Sequence, residues 1–597
     1  MKYIVGLCAG ICLITILSCK KNFTDFLDQA PGVDVTENSV FSSVVNTERY
    51  VSSLYQMGMA SIFLLRDAPL FANPITGVAT GGTLVGTLSG ATDESENQED
   101  FTFVQAWNSA GITVNNIITS EDFRYYGRWK AVRIANILLE RIGEVPDADE
   151  NYKKQVRGEA QFFRALQFFE NLKRYGGFPI LTKRFENMDS LQLPRSTLEE
   201  CVNAIVKDCD DAISNLPDSY PTNQTGRATK LAARALKSRT LLYAASPQFN
   251  TATPYLSMVN PADNKLISYG NFDAARWKKA ADAAKDVLDA AASIGVALID
   301  VPANRDPSVA NRTQGNYWVA WELKDNAEVI FADKTYGPTS RFSFPWLHIV
   351  PNGIDGAFWT GNSVTHNFVK KYENKITGLP EVWDNAGGND LTAKYNRLDP
   401  RFKQTVAYNG ARWNGNVPVI ETFTGTTQLQ PNKVGEGRAW MIKHIPEALG
   451  SGNVVPSTAI YRLNEFYLNY AEALNEFEGP TSDAYAKVNA IRLRSGMPPL
   501  PAGLSKNQFR TRVQNERDIE LAFEDHRFWD IRRWLIAENE GVMKGDFYGL
   551  NITKVNATTF SWVPYVFETR TFKKEMYLHP YPLSEVLKGS LVQNPGW

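Results

Sequence analysis

The feature that most constrains this chain is the helical spacing of apolar side chains in residues 153–175. One broad face of this segment carries Val156, Ala160, Phe163, Leu166, Phe169 and Leu172. Gly176 and Gly177 follow it and Pro179 comes next, and such residues end a helix and prevent its continuation. The pattern predicts a long helix whose apolar face must be buried against other helices.

Several other segments carry the same spacing, so we predict a mainly α fold. They are residues 122–143, 196–216 (with Ser196 as N-cap and Glu199 completing a capping box), 229–245, 273–292, 464–477, 482–494 and 506–534. We interpret residues 273–292 as one helix pair and residues 464–494 as another. Such pairs resemble tetratricopeptide hairpins, in which alanine and aromatic positions let helices stack.

Two regions are expected to form loops on this helical scaffold. Between residues 297 and 463, Gly, Asn, Pro and Thr become dense while Trp and Tyr persist, which indicates long loops with short strands. Residues 70–108 have a similar character. Because long structured loops in compact proteins usually carry function, we expect the functional residues here.

The amino terminus has the pattern of a lipoprotein signal peptide over residues 1–18. Lys2 precedes an apolar run of about 14 residues, shorter than the ~20 that a membrane-spanning helix needs. The run ends in Leu17-Ser18-Cys19, which resembles a bacterial lipobox, so we predict that Cys19 is lipidated. The alternative is an ordinary cleavage site that happens to lie near Cys19.

The cysteines further along the chain do not predict a disulfide. Cys201 and Cys209 lie in one predicted helix, where eight residues at ~1.5 Å each separate them by roughly 12 Å. A disulfide needs Cα atoms within about 7 Å. We therefore expect two unpaired, buried thiols.

Charge excludes one class of partner and leaves one cluster open to several interpretations. The formal net charge of −2 gives no basic excess, which argues against nucleic acid. The acidic run from Asp93 to Glu96, with Glu99 and Asp100, could bind Ca²⁺ through oxygen ligands. It could also supply a glycosidase carboxylate pair, or form a solvated acidic loop, which we favour. No other cofactor is predicted.

The aromatic residues of the loop regions are the strongest binding candidates. The chain has 14 Trp and 24 Tyr, and aromatic rings offer large amphipathic contact areas that suit the flat faces of sugars. The alternative for each ring is that it packs beneath its own loop. The candidate ligand-binding residues are Trp107, Asn316, Trp318, Trp321, Tyr336, Trp346 and Trp359.

Charged residues of both signs are dense in the last predicted helix. Arg517 has Glu520 and Glu524 at three and seven residues, which predicts structural ion pairs along the helix. His526 lies near two carboxylates, so a metal or acid–base site is the alternative, although no HExxH pattern is present. We name no catalytic residue.

Motifs spread along the chain resemble, in their order, those of the SusD/RagB family. They are Phe26-Leu27-Asp28 after Cys19, Arg157-Gly158-Glu159-Ala160, Phe163-Arg164-Ala165-Leu166, Arg174-Tyr175-Gly176-Gly177-Phe178-Pro179, Gly226-Arg227-Ala228-Thr229, Leu241-Leu242-Tyr243-Ala244, the run from Arg462 to Ala473, Glu516-Arg517, the run from Glu520 to Glu524, His526-Arg527-Phe528-Trp529-Asp530, Arg532-Arg533-Trp534, Pro580-Tyr581-Pro582-Leu583 and Gln593-Asn594-Pro595-Gly596-Trp597. Together these motifs bracket nearly the whole mature chain.

The resemblance implies a helical fold with tetratricopeptide-like units and an outer-membrane lipoprotein that lids a TonB-dependent, SusC-like channel. Most members of the family serve glycan uptake and some serve peptide uptake, and their ligand loops vary, so the substrate does not carry over. Relatives exported to the cell surface often have acidic residues after the lipidated cysteine. Lys20 and Lys21 occupy those positions here, which leaves the leaflet open.

We therefore predict a non-catalytic outer-membrane lipoprotein that binds a nutrient, with a glycan as the first choice, and delivers it to the channel. The alternatives are a surface glycoside hydrolase, a peptide-binding RagB-like lipoprotein and a purely structural adaptor. The predicted regions are the signal peptide (1–18), a SusD-like amino-terminal helical region (19–250) and a carboxyl-terminal region (251–597) that includes the loop-rich ligand-binding segment 297–463.

Overall fold

The computed structural model describes residues 36–59, 88–97, 103–122, 124–185, 192–334, 362–415, 417–428, 437–443 and 458–597. Helices dominate these residues, and most strands are short, which confirms the predicted mainly α class. The longer helices are α1 Val44–Met59, α2 Phe103–Asn108, α3 Tyr125–Arg141, α4 Glu150–Tyr175, α5 Leu198–Asn215, α6 Lys230–Ala245, α7 Ala274–Ser293, α8 Asn316–Glu322, α9 Leu391–Arg397, α10 Leu463–Glu478, α11 Ser482–Arg494, α12 Lys506–Glu520 and α13 Arg527–Arg533. Four-residue helices cover Glu37–Val40, His366–Val369, Phe402–Thr405 and Leu583–Val586.

The strands form three antiparallel sheets. They are β1 Ser95–Asn97, β2 Val329–Asp333, β3 Asn362–Val364, β4 Val406–Ala407, β5 Trp440–Met441, β6 Thr458–Arg462, β7 Gly545–Lys554 and β8 Phe560–Arg570. One sheet has the order β1-β3-β5-β4, and the others pair β2 with β6 and β7 with β8. The short strands between residues 297 and 463 match the prediction for that region.

Helix α4 is the centre of the amino-terminal helical body. Its amino end is capped by Asp149, whose side chain accepts a hydrogen bond from Tyr152 N–H. Its carboxyl end is at Tyr175, where Gly176 takes a φ of 75° that suits glycine. The rings of Phe162 and Phe163 are fully buried. The predicted long helix and its glycine stop are therefore confirmed.

The second helical layer is built from α6, α7, α10 and α11. We predicted a helix pair for residues 273–292, and this was wrong, because the segment forms the single helix α7. Its alanine-rich face shares a core with α6 and α10, in which Leu242, Trp277 and Tyr470 are buried. The small alanine side chains thus allow helices that are distant in sequence to pack closely together. The predicted pair α10 and α11 is present, separated by Gly479 with a φ of 99°.

Two helix boundaries differ from the sequence prediction. The capping box of α5 uses Thr197 and Glu200 and not Ser196 and Glu199, so the helix starts slightly later. The predicted helix 506–534 is split into α12 and α13, and Phe523 between them has a φ of 60°. A tertiary contact accompanies the break, since Phe523 N–H donates a hydrogen bond of 3.0 Å to Glu94 Oε1.

The sequence analysis missed the long hairpin of β7 and β8. Strand β7 alternates buried Leu550 and Ile552 with exposed Asn551, which is typical of a strand with one solvated face.

The thiol prediction is confirmed, because Cys201 and Cys209 are both free and buried. Among the described residues, no helix combines the length and apolar character needed to cross a bilayer.

Candidate functional site

The acidic run that begins at Asp93 is buried and paired, so our preferred interpretation of a solvated loop was wrong for its described residues. Asp93 accepts hydrogen bonds from Arg527 Nε and Nη2 at 2.8 and 2.7 Å, and from Lys371 Nζ at 2.6 Å. Burial alone would raise the pKa of Asp93, but the charges of Arg527 and Lys371 lower it to about 2. Glu99 and Asp100 lie outside the described residues.

The other two carboxylates of the run are also buried. The Glu94 carboxylate accepts a hydrogen bond from Phe523 N–H, and burial raises its pKa to about 8. Glu96 pairs with Arg570 and accepts hydrogen bonds from Gln105 at 2.7 Å and Asn108 at 3.0 Å. Within the described parts of the chain, no group of three or more His, Cys, Asp or Glu side chains is arranged to hold a metal ion.

A second buried network joins α12 to the strands of the loop-rich region. Arg494 pairs with both Glu328 and Glu520, and Glu520 also accepts from Arg401 at 2.9 Å. Glu524 accepts from Arg462 Nε at 2.9 Å and also pairs with Lys443. The prediction of structural ion pairs in this region is confirmed, but the pairing along the helix was wrong.

Arg517 shows why that pairing was wrong. It reaches Asp530 at 3.1 Å and Asn469 at 2.6 Å, not Glu520 or Glu524. Both of those glutamates are taken by arginines from other elements, because the helix is buried on several sides. Burial lowers the pKa of His526 to about 4, which keeps its ring neutral at neutral pH.

Four of the predicted aromatic-site residues are described, and all four are buried. The exposed fractions are 1% for Trp107, 1% for Asn316, 4% for Trp318 and 5% for Trp321. We expected these residues on a loop surface, and this was wrong. Each lies in a helix, α2 or α8, with its side chain buried. Tyr336, Trp346 and Trp359 lie outside the described residues.

The contacts of these buried residues are structural. The Trp318 and Trp321 ring centroids lie 4.4 Å apart in α8, and Trp318 N–H donates to Gln404 Oε1 at 2.9 Å. Asn316 Nδ2 donates to the carbonyl oxygen of Arg494 at 2.9 Å and so ties α8 to α11. Trp107 packs edge-on against Phe528.

A polar cleft of about 380 Å³ lies at the points where the described residues end at Met59 and at Lys334. Met59 at the end of α1 and Lys334 after β2 both line it, and residues 60–87 and 335–361 follow them in the chain. Its remaining lining is Glu48, Val51, Ser52, Tyr55, Gln56, Thr225, Gly226, Arg227 and Ala332. The segment that contains Tyr336, Trp346 and Trp359 follows Lys334 directly in the chain.

Arg227 organises the floor of this cleft. Its Nε and Nη2 donate to Glu159 at 2.6 and 2.7 Å, and its Nη1 pairs with Glu48. Tyr55 OH donates to Glu159 at 2.8 Å and accepts from Ala228 N–H at 2.8 Å. Glu48 and Glu159 are thus both partners of one guanidinium. This arrangement is more typical of a fixed hydrogen-bonding surface than of an acid–base pair.

Sequence reasoning missed this cleft, although one signal was present. Arg227 stands in the motif Gly226-Arg227-Ala228-Thr229, which carried part of the family resemblance. Tyr55 and Lys334 had no local signal, because they meet only when α1 packs beside β2 and residues 225–227. Lys334 Nζ donates to Thr225 Oγ1 at 3.3 Å across the cleft.

Two family models match different parts of the chain. The model described as "SusD family" matches residues 327–597, and the model described as "Starch-binding associating with outer membrane" matches residues 74–242. The second match lies within the predicted region 19–250, and the first lies within 251–597. Both therefore fall on the segments that carry the quoted motifs.

Known proteins agree with these matches in sequence and fold. A SusD-like protein of Formosa agariphila, P38, is 24% identical over 454 residues, which cover 70% of this chain and 74% of that protein. A solved SusD-like protein of Bacteroides fragilis is 25% identical with a TM-score of 0.73, covering 95% of this chain and 100% of its own. A second structure from B. fragilis, described as a SusD-like carbohydrate binding protein, is 20% identical with a TM-score of 0.66 and covers 92% and 99%.

The matches span the amino-terminal helical body, the loop-rich region and the buried ion pairs around α12. The structure therefore has the SusD-like fold that the sequence predicted. The chain belongs to the SusD/RagB family.

Proposed function

We propose that this protein is an outer-membrane lipoprotein, anchored through Cys19, that binds a glycan without transforming it and delivers it to a TonB-dependent, SusC-like channel. The observation that carries the proposal is the pair of family matches, one of which is described as starch-binding and associating with the outer membrane. The carbohydrate binding named for a protein of the same fold supports it.

In this proposal the cleft and the loop segment after Lys334 form the capture surface. Tyr336, Trp346 and Trp359 supply rings for stacking on sugar faces, and Gln56, Ser52 and Lys334 supply hydrogen bonds for hydroxyl groups. Glu48 and Arg227 are already paired, so binding does not require them to reorganise. The pair of Arg227 with the buried Glu159 fixes the described side of this surface, which lowers the ordering cost of capture.

The proposal is tested by retention of polysaccharides on the intact mature protein, with peptides included as a second ligand class. We expect saturable retention of at least one glycan and no release of shorter products. Trp346→Ala and Trp359→Ala should weaken retention at least tenfold, since stacking area is lost. Phe272→Ala is the matched control, because this exposed ring lies away from the cleft.

Each other result supports one alternative. Shortened glycan would make the protein a hydrolase, retention of peptides alone would make it a RagB-like peptide binder, and no retention at all would leave a structural adaptor. Anchoring is tested separately by Cys19→Ala, which should abolish incorporation of labelled palmitate and move the protein out of the membrane fraction. Unchanged labelling in that variant would contradict the proposed anchor.

A further inference from the structure

A second cavity lies in the carboxyl-terminal half and shares no lining residue with the polar cleft. Its volume is about 240 Å³, and it is enclosed by α9, the short helix Phe402–Thr405 and the segment that contains Ser308 and Val309. Its polar lining consists of Ser308, Lys375, Asn396, Asp399 and Lys403, together with two tyrosines. Neither the buried ion-pair network nor the proposed capture surface accounts for this cavity.

An aromatic cluster forms the floor of the cavity. Phe402 and Tyr408 stack with ring centroids 4.6 Å apart at an interplanar angle of 26°, and Tyr395 lies 4.8 Å from Tyr408. Tyr395 and Tyr408 are only 6% and 5% exposed. Their hydroxyl groups make no hydrogen bond with the described part of the protein, and neither oxygen is sealed from solvent.

Buried phenol groups normally find a hydrogen-bond partner. Burial raises the pKa of Tyr408 to about 12, so its hydroxyl stays protonated and can both donate and accept. Two such hydroxyls above a stacked aromatic floor form a small surface with apolar area and directed polar groups. That combination suits a ligand that has both C–H faces and hydroxyl groups.

Two lysines that line the cavity share one carboxylate. Lys375 Nζ lies 2.9 Å from Asp306, and Lys403 Nζ binds the other oxygen of the same carboxylate, so two ammonium groups share one carboxylate. Asp399 on the wall is bound by Arg401 at 2.7 Å, and Arg401 also binds Glu516 and Glu520. Each ammonium group has three N–H donors, so Lys375 and Lys403 keep donors for an anion beside Asp306.

A buried guanidinium adds to this positive field. Arg312 is 1% exposed and forms no ion pair with any residue in the described ranges, while its Nη2 binds the carbonyl oxygen of Trp413. Burial, with Arg412 nearby, lowers the pKa of Arg312 to about 9, and Tyr408 partly opposes this shift. Arg312 is thus a further cation near Tyr408.

We propose that this cavity binds a single acidic sugar unit, a uronic acid or a sulfated hexose, as a subsite separate from the polar cleft. Its carboxylate or sulfate would lie between Lys375 and Lys403, and its hydroxyl groups would bond Tyr395 and Tyr408. The choice of a sugar rests on the proposed function, whereas the preference for an anion rests on the charges of the cavity alone.

The test titrates the intact mature protein with trigalacturonate, galactose 6-sulfate and their neutral counterparts galactotriose and galactose, using calorimetry. We expect each acidic probe to bind at least tenfold more tightly than its neutral counterpart and to weaken as salt increases. Lys375→Gln combined with Lys403→Gln should reduce the affinity for the acidic probes at least tenfold. Lys278→Gln, an exposed lysine of α7 paired with Asp282, is the matched control and should leave it unchanged.

Tyr408→Phe and Tyr395→Phe separate the hydroxyl contribution from folding, because the aromatic floor is kept. We expect each to weaken both acidic probes severalfold with an unchanged melting temperature. Equal affinity for acidic and neutral probes, or no effect of the lysine double variant, overturns the inference while polysaccharide retention still supports the proposed function. Binding of acidic monosaccharides without retention of any polysaccharide would sink the proposed function and keep the subsite.

Discussion

The helical body around α4 and the residues around α12 are both buried, and they combine apolar packing and ion pairs in different proportions. In the body, Phe162, Phe163 and Phe169 meet other apolar side chains, and Gly158 allows Leu216 to approach α4 closely. Around α12, buried arginine–carboxylate pairs link α11, α12 and α13 to Glu328, Arg401 and Asp93, which lie outside these helices. The body also contains buried ion pairs, such as Arg164 with Asp208, so close apolar packing there adds to directed charge.

The ion pairs around α12 supply positional constraints that the short strands nearby cannot supply alone. A two- or three-residue strand such as β4 or β5 offers few backbone hydrogen bonds to fix its position. A bidentate ion pair such as Arg527 with Asp93 fixes both distance and orientation at the loop base.

The largest effect should come from removing one member of the buried network. Arg494→Met leaves Glu328 and Glu520 buried with one fewer cation each, and we expect a loss of about 3–5 kcal/mol in the free energy of unfolding. Urea denaturation measures this. Arg234→Met is the matched control, because its partner Asp286 is half exposed, and it should cost under about 1 kcal/mol. Equal costs for the two variants would show that burial does not set the contribution of these ion pairs to stability.

A pH-dependent effect should arise at Glu94. Its pKa is about 8 in the folded chain against 4.5 for the free group, so the folded chain retains a proton that the unfolded chain releases between these values. Wild-type stability therefore falls as pH rises from 4.5 to 8, by up to about 1.4 kcal/mol per pH unit from this group. Glu94→Gln keeps an acceptor for Phe523 N–H and does not titrate. Its free energy of unfolding should therefore rise relative to that of the wild type as pH increases over this window.

Unfolding at pH 5, 6.5 and 8 checks this prediction. Glu94→Ala is the control, since it loses the hydrogen bond at every pH as well as the titrating group. If the difference in the free energy of unfolding between Glu94→Gln and the wild type stays constant from pH 5 to pH 8, the carboxyl group is not protonated in the folded protein.

In the helical body the corresponding effect is steric. A Cβ at Gly158 would lie 2.7 Å from Leu216 Cγ and 3.0 Å from Leu216 N. Although alanine favours helices, we expect Gly158→Ala to destabilise the protein by about 1–3 kcal/mol through overpacking. The loss should be the same at low and high salt, unlike any change in surface charge. A stabilising Gly158→Ala would show that α4 and Leu216 can separate without cost.

The smallest effect concerns the start of α5. Thr197 Oγ1 accepts from Glu200 N–H, and Glu200 Oε2 accepts from Thr197 N–H at 2.8 Å. Thr197→Ala should cost about 1 kcal/mol, as loss of an N-cap usually does. Ser196→Ala is the control and should have little effect, since Ser196 is not the cap. A lower melting temperature for Ser196→Ala than for Thr197→Ala would support Ser196 as the N-cap, as the sequence predicted.

Sequence reasoning located the helices well because their apolar spacing is local information. The interval that became α4 was found with its glycine stop, and Cys201 and Cys209 were placed in one helix as free thiols. The break between α12 and α13 was missed, because the group that meets Phe523 comes from Glu94, far away in the chain. Helical spacing carries no record of such a tertiary partner.

The candidate site was less predictable for the same reason. Trp318 and Trp321 stand among Gly, Asn and Thr, which suggested an exposed loop, yet they form one side of α8 and pack inward. Burial of a ring depends on what covers it, and that cover comes from segments beyond residue 360. The cleft around Tyr55 and Arg227 likewise exists only once three separate segments meet.

A protein whose loops capture ligand on a fixed base should bind glycan and return it unchanged. The direct test incubates the intact protein with a polysaccharide that it retains, and measures bound glycan, new reducing ends and chain length in the same sample. We expect saturable binding, no new reducing ends and glycan recovered at its original length. Progressive shortening of the bound glycan would contradict a non-catalytic binder.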